Sequence, residues 1–159
     1  ARGRTDIAIV LVGDGQLRDQ IAQEQERRGL EGLVLLDLMP KTELVPLIQA
    51  SYVSLVPLRG APILDTSSPN KLFESLAAGK PVIQNTKGWI RTLLHDNGCG
   101  YTVDPADETE LVDRLIQLAD DPAERERLGA NARRLAEAEF DQDVLSARYL
   151  AVIDRAARA

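Results

Sequence analysis

A chain of 159 residues, 44% of them hydrophobic and 28% charged, carries enough apolar material for one domain with a core and is too short for two comfortable ones. Its net charge of -6 excludes a surface built to displace counterions from nucleic acid, although one local basic pocket on an acidic protein can still hold a small anion. Cys99 is the only cysteine, which excludes a disulfide framework and a cysteine metal site and favours a reducing, cytoplasmic setting.

Taken in chain order, Ile7-Ala8-Ile9-Val10-Leu11-Val12 is a continuous apolar run closed by Gly13-Asp14-Gly15. Unbroken hydrophobicity predicts a central parallel strand covered on both faces. Leu17, Ile21 and Ala22 recur at helical spacing from Gln16 to Arg28, with Gly29 as the stop. Leu33-Val34-Leu35-Leu36 reads as a second strand, about Thr42 to Ala50 as a short helix, and Tyr52 to Val56 as a third strand. A loop from Pro57 to Ser67 then leads to Ser68-Pro69-Asn70-Lys71-Leu72-Phe73-Glu74, which reads as a helix with Ser68 as its cap and Pro69 at its first position. Gly79 ends that helix, and Pro81 to Gln84 is a fourth strand. A helix over Trp89 to His95 and a short strand over Gly100 to Val103 follow.

From there the chain is helical. Asp107 and Glu110 have capping-box spacing ahead of Leu111, Leu115 and Leu118; Asp121-Pro122 restarts a helix bearing Leu128, Ala132, Leu135 and Ala136; Phe140-Asp141 interrupts before a last helix through Val144, Leu145, Tyr149 and Val152. Strands alternating with helices predict an α/β fold, a Rossmann-like doubly wound parallel sheet with a helical C-terminal part. Ligands of such sheets bind at the carboxyl ends of the strands, where the Gly13 loop, Asp37-Leu38, the 57–67 loop and the loop from Asn85 to Gly88 all fall. No apolar run reaches the length of a membrane span and no basic-then-apolar leader opens the chain. Ala1 leads almost at once into a strand without an initiator Met, which suggests a fragment of a longer protein.

Several motifs carry competing readings. Gly13-Asp14-Gly15 falls short of the dinucleotide fingerprint because Arg18 stands where a third small residue belongs, so a tight turn explains it as well. The start of the Ser68 helix is electropositive and has Lys71 one turn in, which suits phosphate, while Glu74 could accept two ribose hydroxyls. An ordinary capped helix with an exposed Lys–Glu pair worth about 0.3 kcal/mol is the alternative. His95 has no Ser or Cys nucleophile to partner it and no second His or Cys for a metal, so it reads as a surface or partly buried histidine. Trp89 either lines the cleft or packs. The charged run from Asp120 to Glu139 reads as a solvated helix face.

The order of these motifs resembles the C-terminal, donor-binding half of the family 4 retaining glycosyltransferases of the GT-B fold. The likeness is carried by Val12-Gly13-Asp14-Gly15 after a strand, Pro40-Lys41-Thr42-Glu43-Leu44 before a helix, Ser68 to Glu74 running on through Ala77-Ala78-Gly79-Lys80-Pro81-Val82, and Gly98-Cys99-Gly100-Tyr101-Thr102-Val103 before the Asp107 helix. The Ser-Pro-Asn-Lys variant is similar to the branch that builds bacterial surface polysaccharides.

The resemblance implies transfer of a glycosyl group from a nucleoside-diphosphate sugar to an acceptor hydroxyl with retention. By position, Glu74 would hold the donor ribose; Lys71 and the segment Ser68-Pro69-Asn70 would meet the diphosphate; Asp37 and Leu38, on the same edge as Gly13, would hold the base. The family's first acidic residue, which binds donor-sugar hydroxyls, falls at Thr66, with the shorter Asp65 beside it as a substitute. The resemblance also implies a further strand and helix and an acceptor-binding N-terminal domain as partner, no metal or other cofactor, and peripheral contact with the inner membrane through the missing part. Two other readings stay open: a nucleotide-sugar epimerase of the same fold, and a non-catalytic nucleotide-binding or receiver-like module.

Overall fold

A computed structural model describes residues 3–59 and 61–158. Its order is β1 (Ile9–Val12), α1 (Arg18–Arg28), β2 (Leu33–Leu36), α2 (Lys41–Ala50), β3 (Ser54–Val56), a 3-10 turn (Pro62–Thr66), α3 (Asn70–Ala77), β4 (Val82–Gln84), α4 (Trp89–Asn97), β5 (Gly100–Thr102), α5 (Glu108–Asp120), α6 (Pro122–Glu139) and α7 (Gln142–Ala157). The strands and helices alternate as predicted, and every strand pairing among the described residues is parallel. The chain divides into two compact units, Ala1–Leu47 and Ile48–Ala159.

In the first unit, β1 pairs with β2 in the register Ile9↔Leu33 to Val12↔Leu36. Gly29 ends α1 in the left-handed conformation at φ 60°, as the sequence predicts, and its N–H reaches back to the Glu26 carbonyl. The expectation that β1 is a central strand is corrected here. Its one partner is β2, so it is an edge of a two-stranded ladder, and Val10 and Leu11 each keep 40% of their surface exposed.

In the second unit, three strands pair in the order β3-β4-β5. The middle strand β4 is buried throughout, and its alternate side chains enter different clusters. Val82 packs with Leu72, Leu76, Ile90, Leu94 and Cys99 on one side, and Ile83 with Val103, Leu118 and Leu128 on the other. Gly100 is required by this pairing, since a Cβ there would stand 2.0 Å from the Val82 carbonyl oxygen of the neighbouring strand.

The helices of this unit follow their caps. Asp107 accepts from the backbone N–H groups of Thr109 and Glu110, while the Glu110 carboxylate turns to the Asp104 N–H, so only half of the predicted capping box forms. Asp121 caps α6 with Pro122 behind it, and Asp141 caps α7. Leu128, Ala132, Leu135 and Ala136 are buried as expected. The last helix differs from the rest, because its Leu145, Tyr149 and Val152 remain exposed.

Candidate functional site

The predicted site residues of the second unit gather where the 3-10 turn meets α3. The helix begins one residue later than the sequence suggests. Pro69 is the capping residue at φ -73°, ψ 132°, and no side-chain cap bond closes this end, so Ser68 does not cap it. The reason is local: the residue before a proline is pushed to extended backbone, and Pro69 itself adopts an extended ψ that places Asn70 first in the helix. The Leu72 N–H still closes on the Pro69 carbonyl at 2.9 Å. At the other end the Gly79 N–H donates to Leu76 and the Lys80 N–H to Ser75, a Schellman closure with Gly79 at φ 67°.

This eight-residue helix has two sides. Leu72, Ser75 and Leu76 are buried, whereas Asn70 and Lys71 are exposed and Glu74 is half-buried. Lys71 and Glu74 are three apart and hence neighbours on the helix surface. The Lys71 ammonium donates to the Pro57 carbonyl at 3.0 Å and keeps exposed surface, yet burial of part of it holds its pKa below the ordinary lysine value. It is therefore a cation standing over an uncapped helix start, an arrangement suited to anionic oxygens.

Asp65 and Thr66 occupy the end of the 3-10 turn. The Asp65 carboxylate accepts the Lys87 N–H at 2.9 Å, and the Thr66 hydroxyl donates to the Ile63 carbonyl at 2.8 Å. Sequence reading did not find four partners of this loop. Asn85 pairs its side-chain amide with both backbone groups of Leu58, Lys87 and Gly88 meet Asp65, and the Trp89 indole N–H donates to the Ser67 carbonyl at 2.9 Å. The signal available was only that the Asn85 to Gly88 loop lies on the carboxyl edge.

In the first unit, Gly13 ends β1 at φ 126° and Asp14 accepts the Gly15 N–H, the tight-turn reading of that motif. Arg18, the residue that breaks the dinucleotide fingerprint, donates to the Asp37 carboxylate at 2.6 Å and to the Gly13 and Leu36 carbonyls at 3.4 Å. One guanidinium thus ties together the loops that follow β1 and β2. Leu38 is 81% exposed. His95 is a surface side chain beside Asp96. Among the described residues no group of three or more His, Cys, Asp or Glu could hold a metal ion, and no helix is long and apolar enough to cross a membrane.

Comparison with known proteins places this geometry among relatives. A family model described as Glycosyl transferases group 1 matches residues 1–121. The lipopolysaccharide core biosynthesis glycosyltransferase LpsD of Rhizobium meliloti is 30% identical over 148 residues, which cover 91% of this chain and 40% of that protein. The fold is that of HepE from Anabaena, solved in complex with UDP, with a TM-score of 0.80, 21% identity and coverage of 97% of this chain and 42% of that one. It is also that of the C-terminal domain of a glycosyl transferase group 1 protein, LpcC, from Francisella tularensis, with a TM-score of 0.71, 17% identity and coverage of 89% of this chain and 73% of that one. The chain spans about two fifths or less of the length of the curated relatives it matches.

Proposed function

This chain belongs to the glycosyl transferases group 1 family, and from that premise we propose that it is the donor-binding half of a retaining glycosyltransferase acting in polysaccharide or glycolipid synthesis. The observation that carries the reading is the start of α3, where an uncapped helix end is followed by Lys71, whose ammonium reaches the Pro57 carbonyl, and three residues later by Glu74 on the neighbouring position of the helix surface. The donor is a nucleoside-diphosphate sugar. Two of the structures that share the fold were solved with UDP and with UDP-glucose.

As the glycosidic bond to the donor breaks, negative charge grows on the departing diphosphate and the sugar becomes oxocarbenium-like. Lys71 and the backbone N–H groups of Asn70 and Lys71 stabilise that charge, the helix end alone supplying about 0.3–1 kcal/mol and more when water is excluded. Fixed positive groups take the place that a divalent cation fills in other transferases. Glu74 accepts the ribose hydroxyls. Asp37 and Leu38 hold the base as a separate assignment within the first unit. The groups that activate the acceptor lie outside this chain, so the chain by itself binds donor nucleotide and turns nothing over.

Titration with UDP, GDP and ADP, followed by chemical shifts or calorimetry, tests the reading. One of the three is expected to bind in the millimolar range, with binding abolished in Glu74→Ala and weakened in Lys71→Ala. Because burial lowers the Lys71 pKa, the ammonium loses its proton at lower pH than a free lysine, and affinity should fall with rising pH before the ordinary lysine range is reached. A folded protein that binds none of the three nucleotides refutes the site.

A further inference from the structure

Two loops of the second unit are stitched together at Leu58 and again at Asp65 and Ser67. At one end the Asn85 carboxamide accepts the Leu58 N–H and donates to the Leu58 carbonyl, both at 2.8 Å. At the other end the Lys87 N–H donates to the Asp65 carboxylate at 2.9 Å, and the Trp89 indole N–H to the Ser67 carbonyl at 2.9 Å. Between them Gly88 lies so close that a Cβ would stand 1.9 Å from the Asp65 carbonyl oxygen. The stitching loop is anchored in turn by buried Gln84, whose amide accepts the Thr86 N–H at 2.6 Å and donates to the Thr86 carbonyl at 2.9 Å.

We propose that the loop from Asn85 to Trp89 is a clamp that holds the 57–67 loop, and with it the start of α3, in the shape that receives the donor diphosphate, with Asn85 as its principal positioning residue. The inference rests on the donor-site reading above. A loop bound at both ends has surrendered its conformational freedom before the ligand arrives, so binding does not have to order it. Only asparagine meets Leu58 in this way: aspartate lacks the donor, and glutamine is one methylene too long for the same planar pair. The clamp also assigns Asp65 a task. Its Oδ1 is a strut for the Lys87 N–H.

The test measures amide exchange and nucleotide affinity together in the wild type, Asn85→Ala and Trp89→Phe. Asn85→Ala removes two hydrogen bonds, so Leu58 and Lys87 should exchange faster, and the dissociation constant of the nucleotide that binds should rise about four-fold or more. Trp89→Phe keeps an aromatic ring beside Phe73, 6.3 Å between centroids in the wild type, while it loses the N–H and part of the indole's packing on the core. A rise of about two- to ten-fold is expected there in a protein that still folds, with a lowered melting temperature, which preserves the test if Asn85→Ala does not fold. Faster exchange with unchanged affinity in both variants overturns the proposal, as does unchanged exchange at Lys87 in Asn85→Ala. If the wild type binds none of UDP, GDP and ADP, the donor reading fails and exchange alone decides the clamp. Faster exchange reaching Leu72, whose N–H closes on the Pro69 carbonyl, then supports it, and opening confined to Leu58 refutes it.

Discussion

Cys99 follows α4 and is fully buried, and burial pushes its thiol from an ordinary value near 9 up to about 11. The folded state therefore holds this proton more tightly than the unfolded state does. The resulting stability is complete below pH about 9 and is lost as pH rises toward about 11. Denaturant unfolding across that interval should show the decline, and Cys99→Ala should remove this share of it; an identical decline in the variant would assign it to other groups. At the same scale, the residues that sequence reading placed at the site are those whose chemistry speaks for itself, a lysine and a glutamate one helix turn apart. Asn85 could not be found that way. Its role depends on Leu58, 27 positions earlier, being brought against it by the pairing of β3 with β4.

Helix ends were legible where capping is a local matter: Asp107, Asp121, Gly29 and Gly79 act where their sequence context puts them, whereas Ser68, displaced by Pro69, does not. Contacts made by long side chains across elements were not. The charged run of α6 is a solvated face in part, yet Arg125 donates to the Leu118 and Ala119 carbonyls at the end of α5, and Arg133 donates to the Ala77 carbonyl at the end of α3. These cations meet the negative ends of two helices, a placement that no spacing rule within α6 reveals. Gly129 is a further case. In mid-helix it costs about 1 kcal/mol relative to alanine, but a Cβ there would stand 2.4 Å from the Gly79 carbonyl oxygen. Since the clashing atom is the backbone oxygen of Gly79, Gly129→Ala should force α3 and α6 apart at a cost of about 1–3 kcal/mol, more than the helix gains. A lowered urea midpoint is expected, and a raised one would show that the two helices separate freely.

Across the chain, burial is uneven. The buried apolar residues run from Val56 to Ala136, all within the second unit, while Val10, Leu11, Leu17, Val34 and Val45 of the first are each more than a third exposed. The alternation of elements showed the fold class; it could not show this asymmetry, since an apolar run predicts burial only where something covers it. Two-stranded ladders are marginal on their own, so backbone amides of β1 and β2 should exchange with solvent well before those of β4, and equal protection would contradict the uneven core. The helix α3 belongs to the better-protected unit in a particular way, its Leu72 and Leu76 set in the core while Lys71 is exposed and Glu74 half-buried. A nucleotide held there and ignored by the unfolded chain would add RT ln(1 + [L]/Kd) to stability, about 0.4 kcal/mol at a free concentration equal to Kd. Occupancy of the candidate site would then be readable from outside it, as a ligand-dependent rise in the melting temperature of the second unit.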